Sequence, residues 1–342
     1  MKKRSLGTFW TISIACLLAP ISGRSEPIED FYKGRTVSII VGSGPGGSFD
    51  LGARLIAMHL RRFIPGNPTV IVQNMAGASS VRATEYLFNV AARDGSVLGD
   101  VQPTIVINKV LDPSLKYSPE AFGWVGRLRL RTNYGLAWHE SPATTIQEAR
   151  KNEVIFAANS PSGYTAMVPW ALNAVTGTRI KVITGYESEA TEWLAVQRKE
   201  AHGIGSGSIT GVLQPDWLPT GKVRVMYTIG LKRTVEAPDA PTLPELATND
   251  LDRNAMRLIS SSADIGETLI LPPGVSAEKT AAIRAAFSKM MADPDFISDA
   301  LNRQIETDFL DGSALSSIVS ETALMPTYVI TRLKSITSPP SK

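Results

Sequence analysis

The sequence predicts an α/β protein of two domains, each a mainly parallel β-sheet flanked by helices, with a ligand cleft between the domains. Short apolar, β-branched stretches alternate with helical stretches, an order typical of parallel strands joined by right-handed crossovers. The alternation stops near residues 130–134 and then begins again, which indicates a crossing into a second domain. The 342 residues are enough for two domains with sizeable cores.

The first strand, turn and helix, residues 36–62, set this pattern. Thr36–Val41 is short, apolar and β-branched, which predicts a strand buried on both faces. Residues 42–47 form a turn with four glycines and one proline, and helical apolar spacing follows from Leu51, with Asp50 at or near the helix start. Such a turn leaves backbone N–H groups exposed at the positive end of a helix dipole. We therefore infer that it holds the carboxylate of a small ligand.

The later elements continue the alternation. In the first half we predict strands at 69–72, 97–101 and 123–126, a helix at 79–90 and a loop with a short helix at 103–117. In the second half we predict strands at 154–158, 180–183, 201–204 and 223–228, with helices at 164–176 and 187–198. A proline-rich loop at 238–244 precedes a strand at 267–271, a helix from the Ser276 cap to Met291, and closing helices at 296–303 and 313–333. The domains are then residues 26–130 with 233–342, and residues 131–232.

Residues 1–25 have the layout of a secretory signal peptide, because three basic residues precede an uncharged run and then small residues. The run is shorter than the roughly 20 residues that span a bilayer, so we expect cleavage near residues 22–25 and a periplasmic protein. Four of the 35 basic side chains and none of the 32 acidic ones lie there. The mature chain would be nearly neutral, which argues against nucleic-acid binding. Cys16, the single cysteine, also lies there, which excludes disulfides and cysteine–metal sites.

The first turn formally matches a dinucleotide fingerprint at Gly42, Gly44 and Gly47. However, Gln73 and Asn74 stand where that fold needs an acidic residue for the ribose hydroxyl. No Lys-Ser/Thr pair follows the glycines, so a phosphate-binding P-loop is also excluded. We expect no cofactor. The remaining alternative is that the glycines only make a tight turn, and for one isolated turn it would be preferred.

Two further turns favour ligand binding. Residues 159–165 also follow an apolar strand and open a helix, and residues 203–208 follow another strand with small polar side chains that include Ser206. Turns at the carboxyl ends of strands in two domains would form a cleft between them. Each turn alone is explained equally well by ordinary loop chemistry, but jointly they favour binding. Arg127, Arg129 and Arg131 could pair with an anion or form a solvated strand face.

Enzyme signatures are poor. The histidines His59, His139 and His202 have no metal-ligand spacing, and no Gly-x-Ser-x-Gly elbow surrounds any serine. Asp50 and Glu187 could form a carboxylate pair, but a helix cap or ligand-orienting role explains Asp50 better. We predict no catalytic residues and no metal site.

Three segments of the chain resemble a known family, the extracytoplasmic receptors of tripartite tricarboxylate transporters, also called Bug or TctC-type solute-binding proteins. The segments are residues 36–60, 65–99 and 240–246. The matching residues form a glycine-glycine-x-x-aspartate turn, an asparagine–glycine-rich segment and an aspartate–glycine turn: Gly46, Gly47, Asp50, Asn74, Gly77, Ala78, Asp94 and Gly95. The resemblance extends over nearly all of the predicted mature chain.

The resemblance implies a two-domain periplasmic binding protein of type II that closes like a Venus flytrap on one small organic acid. Backbone amides and water would hold the ligand carboxylate. Together with Ser206, the implied ligand residues are Gly44, Pro45, Gly46, Gly47, Ser48, Phe49, Asp50, Ser160, Ser162, Gly163, Tyr164 and Thr165. The implied partners are one large and one small membrane subunit of a tripartite transporter, and we expect a monomer without catalysis.

The chain departs from the family pattern at positions that choose the ligand. The second turn of many relatives is richer in glycine and is followed by a histidine, whereas Pro161 and Tyr164 intrude here. Residues 185–189, with the sequence GYESE, replace a more neutral glycine-containing loop. Two rival functions remain open: an exported enzyme that acts on an organic acid with Asp50 or His202 as general base, and a receptor that reports ligand to a membrane sensor.

Overall fold

Two β-sheets carry the architecture. The computed structural model describes residues 27–161, 163–209, 214 and 216–339, so the predicted signal peptide of residues 1–25 and the predicted ligand residue Ser162 lie outside the described residues. The strands are β1 (Thr36–Val41), β2 (Thr69–Asn74), β3 (Val97–Val101), β4 (Gly123–Arg129), β5 (Asn133–Trp138), β6 (Val154–Ala158), β7 (Ile180–Thr184), β8 (Gly203–Gly207), β9 (Val223–Ile229), β10 (Glu267–Leu271) and β11 (Leu310–Asp311).

Helices connect and flank these strands. The α-helices are α1 (Ile28–Tyr32), α2 (Ser48–Leu60), α3 (Val81–Asn89), α4 (Ile105–Leu111), α5 (Ile146–Ala149), α6 (Tyr164–Thr176), α7 (Glu189–Gln197), α8 (Asp250–Ile265), α9 (Ala277–Met291), α10 (Pro294–Asn302), α11 (Gly312–Ala323) and α12 (Thr327–Thr337). Single 3-10 turns lie at Ala78–Ser80, Pro119–Ala121 and Pro244–Leu246.

The first sheet has the strand order β11-β4-β10-β3-β1-β2, and the second has the order β7-β6-β8-β5-β9. The predicted parallel pairs are present, since β1 pairs in parallel with β2 and β3, and β6 with β7 and β8. The other pairs are antiparallel, between β10 and its neighbours β3 and β4, between β11 and β4, and between β5 and its neighbours β8 and β9. The two-domain α/β fold is thus as predicted, but the sheets are mixed rather than mainly parallel.

The chain's crossings between the sheets explain the antiparallel pairs. Strand β4 ends at Arg129 and β5 begins at Asn133 in the other sheet, while β10 begins at Glu267 after the chain returns through α8. Strands that helical crossovers join within one sheet all run in the same direction. Because β5 and β10 are each entered from the other sheet, they start at the edge where their neighbours end and run the opposite way.

Each sheet is covered on both faces. Strand β1 is buried on both sides as predicted: Ile39 packs in the cluster of α2, α9 and α10, and Ile40 packs in the cluster of α3, α4 and α11. In the second sheet, Phe156 faces the cluster formed with α6, α8 and α12, whereas Ala157 faces the side of α7 and Trp217. This alternation explains why the strand sequences are nearly continuous apolar runs.

The element predictions are confirmed residue by residue for β1, β3, β6, β10 and α6. The predicted closing helix at 313–333 is wrong, because two helices, α11 and α12, lie on either side of Pro326, whose ring cannot continue a helix. Strand β5 and helix α8 were not predicted. Strand β5 contains Gly135, which the ring of Tyr227 covers, and α8 is polar apart from one buried face.

The two C-terminal helices, α11 and α12, pack beside different sheets. Helix α11 packs on β4, whereas α12 packs on α6 and α8 beside the second sheet. The sequence-based domain bounds at residues 130/131 and 232/233 stay a prediction. Within the residues that the structure describes, every helix is too short or too polar to cross a lipid bilayer.

Candidate functional site

The first turn lies between β1 and α2, at the carboxyl end of β1. Gly46 has φ +79°, a left-handed conformation that favours glycine, and Gly47 is the residue before the helix. A side chain at Gly42 would collide with Ser80 Oγ, which donates a hydrogen bond of 2.9 Å to the Gly42 carbonyl. Residues 44–48 stay half-buried or exposed. The glycines therefore allow both the shape of the turn and the close approach of residue 80.

Asp50 holds this turn in place. Its buried carboxylate accepts hydrogen bonds from Gly46 N–H at 2.8 Å, Arg54 Nε at 2.9 Å and Asn74 Nδ2 at 2.8 Å. These donors, Arg54 first, lower the pKa of Asp50 to about 2 even though burial opposes the shift. Asn74 Nδ2 also donates to the Ser43 carbonyl at 3.1 Å. The side chain of Asp50 thus orients the turn.

The first residues of α2 carry backbone amides of the kind that bind anions at helix N-termini. An α-helix gives its first amides no acceptor within the helix, so the N–H groups of Ser48, Phe49 and Asp50 are available there. The helix dipole adds partial positive charge at the same point. Ser48 is exposed, whereas the Phe49 side chain is buried, so Phe49 offers its amide rather than its ring. Of the predicted residues, 44–48 are half-buried or exposed, whereas Phe49 and Asp50 are buried.

A strained segment adjoins this turn at the end of β2. Ala78, Ser79 and Ser80 all have positive φ, of 47°, 50° and 71°. Each such non-glycine residue costs on the order of 1–3 kcal/mol, a cost that proteins accept mainly at functional sites. Ser80 joins the segment to the first turn through Gly42 and to β3 through a 3.2 Å hydrogen bond from Gln102 N–H. The asparagine–glycine-rich stretch singled out in the sequence therefore forms one wall of the same edge.

The second turn, between β6 and α6, is built in the same way around Asn159. The Oδ1 atom of Asn159 accepts hydrogen bonds from Ser160 N–H at 2.6 Å and from Thr165 Oγ1 at 3.0 Å. A side chain at Gly163 would collide with that oxygen, so this position requires glycine. Thr165 Oγ1 accepts in turn from Asn159 N–H at 3.1 Å. As at the first turn, the amides that open the helix have no intrahelical acceptor.

Two predicted residues of the second domain are placed differently from the rest. The hydroxyl of Tyr164 donates to the Ile259 carbonyl at 3.1 Å, and its ring packs against the core shared with α8, so its side chain belongs to the packing. Ser206 is buried in β8, one residue before Gly207, at the end of the strand that adjoins the second turn. The assignment of both residues to the ligand stays a prediction.

Two arginines on the crossing between the sheets contact the first turn. Arg129 donates to the Ser48 carbonyl at 3.0 Å, and Arg131 donates to Ser48 Oγ at 2.8 Å. The guanidinium of Arg131 also lies 4.3 Å above the centre of the Phe49 ring. Both arginines pair with Glu267, at the start of the returning strand β10, at 2.7 and 3.7 Å. The alternative in which these arginines form a solvated strand face does not hold for Arg129 and Arg131.

Buried acids lie beneath these arginines, and the sequence analysis did not single them out. Asp100, in β3, is fully buried, and neither of its carboxylate oxygens has a hydrogen-bond partner in the described part of the chain. Burial, reinforced by the charge of Glu267, raises the pKa of Asp100 well above its ordinary value. Burial also raises the pKa of Glu267, against the pull of Arg129 and Arg131. The only sequence signal for this buried acid would have been Asp100 itself, an acidic residue within the otherwise uncharged strand sequence VLGDV.

Two more acids, Glu189 and Glu192, lie in the first turn of α7, and Glu189 ends the segment 185–189 noted in the sequence analysis. Glu189 Oε1 accepts a hydrogen bond from Ser208 N–H at 2.9 Å, and Glu192 is buried. Burial raises the pKa of Glu189 to about 7, and burial together with the charge of Glu189 raises the pKa of Glu192 to about 8. The sequence analysis noted residues 185–189 as a departure but did not assign Glu189 to the site.

A separate hollow of about 300 Å³ lies at the far end of the second sheet, lined by residues that include Trp138, Lys199 and His202. His202 precedes β8, whereas Ser206 lies near its other end. Its Nδ1 atom accepts a hydrogen bond of 3.0 Å from Ile155 N–H, and burial lowers its pKa. His202 is therefore remote from the two turns, and the structure does not bring it together with the predicted ligand residues.

The comparisons with known proteins give the class first. The chain has the fold of a TctC solute-binding protein from Polaromonas, with TM-score 0.65 and 20% identity over 88% of this chain and 100% of that one. It also has the fold of the periplasmic binding protein BugD, with TM-score 0.65 and 20% identity over 90% and 99%. MatC from Rhodopseudomonas palustris with bound malate follows, with TM-score 0.63 and 19% identity over 89% and 99%. The fold is therefore that of the two-domain periplasmic binding proteins.

The relatives in sequence point to one group within this class. The chain is 28% identical to Protein BugT of Bordetella pertussis over 69% of this chain and 71% of that protein. It is 23% identical to a UPF0065 protein from the gbd 5′ region of Cupriavidus necator over 94% and 95%. No family model matches the chain. The resemblance to Bug and TctC-type solute-binding proteins that the sequence predicted is thus confirmed.

Proposed function

We propose that this protein is a periplasmic solute-binding receptor that captures a small carboxylate-bearing metabolite between its two domains. The observation that carries the proposal is the pair of turns, one in each sheet, that each follow a strand and open a helix with available amides. Each turn is held by one internal side chain, Asp50 or Asn159. Groups held in advance bind an anion at a lower entropic cost than mobile ones.

The proposed ligand residues are those predicted from the sequence, with a division of roles. Backbone N–H groups of Gly44, residues 47–50, Tyr164 and Thr165 contact the carboxylate, with Ser48, Ser160, Ser162 and Ser206 adding hydroxyls, while Pro45, Gly46 and Gly163 shape the two turns. Asp50 and Thr165 position the turns, and Tyr164 supports the second from behind. The malate bound to MatC, which shares this fold, supports a carboxylate as the ligand class.

The receptor is proposed to deliver its ligand to a tripartite tricarboxylate-type transporter with one large and one small membrane subunit, and to act as a monomer. The resemblance to BugT and to TctC-type proteins supports this part of the proposal. A catalytic role is disfavoured by the chemistry of the candidate bases. Asp50, with a pKa of about 2, is a weak proton acceptor near neutral pH, and His202 lies away from the turns.

A ligand screen tests the proposal. Purified mature protein, residues 26–342, is heated with each member of a panel of di- and tricarboxylates, aromatic acids and amino acids. A ligand present at a hundred times its Kd stabilises the folded state by about 2.7 kcal/mol, so a bound acid raises the melting temperature measurably. We expect at least one hit that is released unchanged. No stabilisation by any acid, or turnover of a bound acid, would contradict the proposal.

A substitution in the turn gives the matched control. Gly44→Glu places a carboxylate among the amides without a collision, since a Cβ there has no heavy atom within 4 Å. We expect it to abolish ligand-induced stabilisation while the ligand-free melting temperature stays within a degree or two. Val90→Glu adds the same charge at an exposed residue just after α3, away from the turns, and should bind like the wild type.

A further inference from the structure

The proposed cleft has a basic group on one side and acidic groups on the other. On the first-domain side, the guanidinium of Arg131 stands beside the amides of the first turn, fixed by Ser48 Oγ at 2.8 Å and by the Phe49 ring. On the second-domain side, Glu189 and Glu192 lie at the start of α7, which follows β7. The first side attracts anions, and the second attracts cations.

Glu189 is placed at the end of the second sheet by specific contacts. Its Oε1 atom accepts the hydrogen bond from Ser208 N–H, and it can approach so closely because Gly207 has no side chain: a Cβ there would lie 2.8 Å from Oε1. Neither Glu189 nor Glu192 forms a salt bridge with any residue in the described ranges. Two crowded, desolvated carboxylates without a cation are costly to charge.

The charges of Arg131 and Glu189 influence each other's pKa. Burial lowers the pKa of Arg131, and the negative charges of Glu267 and Glu189 oppose that change. Burial raises the pKa of Glu189, and the Ser208 amide and Arg131 oppose that change. Arg131 lies on the crossing between the sheets, beside the first turn, whereas Glu189 lies at the start of α7, and within the described residues the two side chains form no salt bridge with each other.

We propose that the ligand bears a protonated amine as well as a carboxylate, as an amino acid does, with its carboxylate at the first turn beside Arg131 and its ammonium group on Glu189. This inference rests on the proposed function and narrows its ligand class. The ammonium group supplies the missing cation for the crowded acids, and the carboxylate uses the amides and Arg131. Glu189 lies in the segment 185–189 that departs from the neutral loop of the family.

Matched pairs of acids test the inference on the unaltered mature protein. Titration calorimetry compares acids that differ only in the amine: aspartate with succinate, glutamate with glutarate, phenylalanine with 3-phenylpropionate, and γ-aminobutyrate with butyrate. We expect at least one amine-bearing acid to bind, with a Kd at least about tenfold lower than that of its amine-free partner.

Two substitutions test whether the preference for amine-bearing acids depends on the Glu189 carboxylate. Glu189→Gln keeps the shape and the acceptor for Ser208 N–H, so the protein should fold, but it removes the charge. We expect the preference for the amine-bearing acid to fall by about tenfold or more, while the amine-free partner binds unchanged or more tightly. Glu187→Gln, at an exposed position two residues earlier, is the matched control and should keep the preference.

The outcomes separate the inference from the function on which it rests. Tightest binding by an amine-free acid, or a preference that survives Glu189→Gln, would overturn the inference and leave the carboxylate receptor intact. An absence of binding by every acid of the panel, with or without an amine, would overturn both.

Discussion

Asp50 and Asn159 perform the same task in the two turns. Each side chain folds back onto its own turn and occupies backbone donors that would otherwise be mobile, so that the remaining amides stay available. The two solutions differ in charge: Asp50 is a buried anion that forms an ion pair with Arg54 and accepts a hydrogen bond from Asn74, whereas Asn159 is neutral. A turn that must bind an anion tolerates an internal carboxylate only because three donors compensate its charge.

Asp50→Asn should destabilise the protein by about 1–3 kcal/mol at neutral pH, because it removes the charged acceptor of buried donors. Arg54 is half exposed, so its share of this free energy is small. The folded-state pKa of Asp50 is about 2, below its ordinary 3.8. The stabilisation is therefore present above pH about 4 and is lost as the pH falls toward 2.

Urea denaturation of both proteins at pH 7, 4 and 3 measures this effect. The difference in unfolding free energy between wild type and Asp50→Asn should shrink as the pH falls. Asp239→Asn, at an exposed position, is the control and should give little difference at any pH. A difference that stays constant from pH 7 to pH 3 would show that the charge of Asp50 does not stabilise the turn.

At the scale of elements, the position of α2 depends on one glycine. A side chain at Gly52 would collide with the carboxylate of Glu267, at the start of β10, and would also press on Leu128. The N-terminal helical turn of α2 can therefore pack directly against Glu267, the buried acid that forms salt bridges with Arg129 and Arg131. Helix α2 is thus fixed to the two segments that connect the domains.

Gly52→Ala should cost about 1–3 kcal/mol of stability, because the added methyl group overpacks a buried contact that has an unyielding partner. It should also weaken ligand binding, because α2 must shift and the loop at residues 42–47, which precedes it, must shift with it. Gly44→Ala adds the same methyl group in open space and should change the unfolding free energy by less than about 0.5 kcal/mol. Equal stability of the two variants in thermal or chemical denaturation would contradict this account of how α2 is placed.

At the scale of the whole molecule, the contacts around Glu267 connect ligand binding to the joint between the domains. The crossing from β4 to β5 carries Arg129 and Arg131, and the return crossing ends at Glu267. Both arginines contact Ser48 in the proposed ligand turn. A ligand held between this turn and the second domain would bring the domains together, because it binds the closed arrangement with more contacts than the open one.

Small-angle X-ray scattering tests this closure. A saturating ligand from the screen should reduce the radius of gyration of the wild-type protein, and Gly44→Glu should show no reduction at the same ligand concentration. Binding seen by calorimetry with an unchanged scattering curve would mean that the two domains do not move on each other.

The sequence by itself determined the order of strands and helices, the parallel β-α-β units and the first turn with its aspartate, because these depend on local periodicity and glycine chemistry. The confirmed bounds of β1, β6 and α6 show this. It also carried the resemblance to Bug and TctC-type receptors. Local signals were not enough for β5 and α8, whose neighbours come from distant parts of the chain.

Only the tertiary structure decided which polar side chains share the cleft and which are used inside the protein. Arg131 and Glu189 are 58 positions apart and interact electrostatically only because the chain crosses between two sheets. Tyr164, in contrast, was predicted beside the ligand but turns into the core of α8. The direction of a side chain and the pairing of charges depend on contacts between distant segments, and no local pattern of residues encodes them.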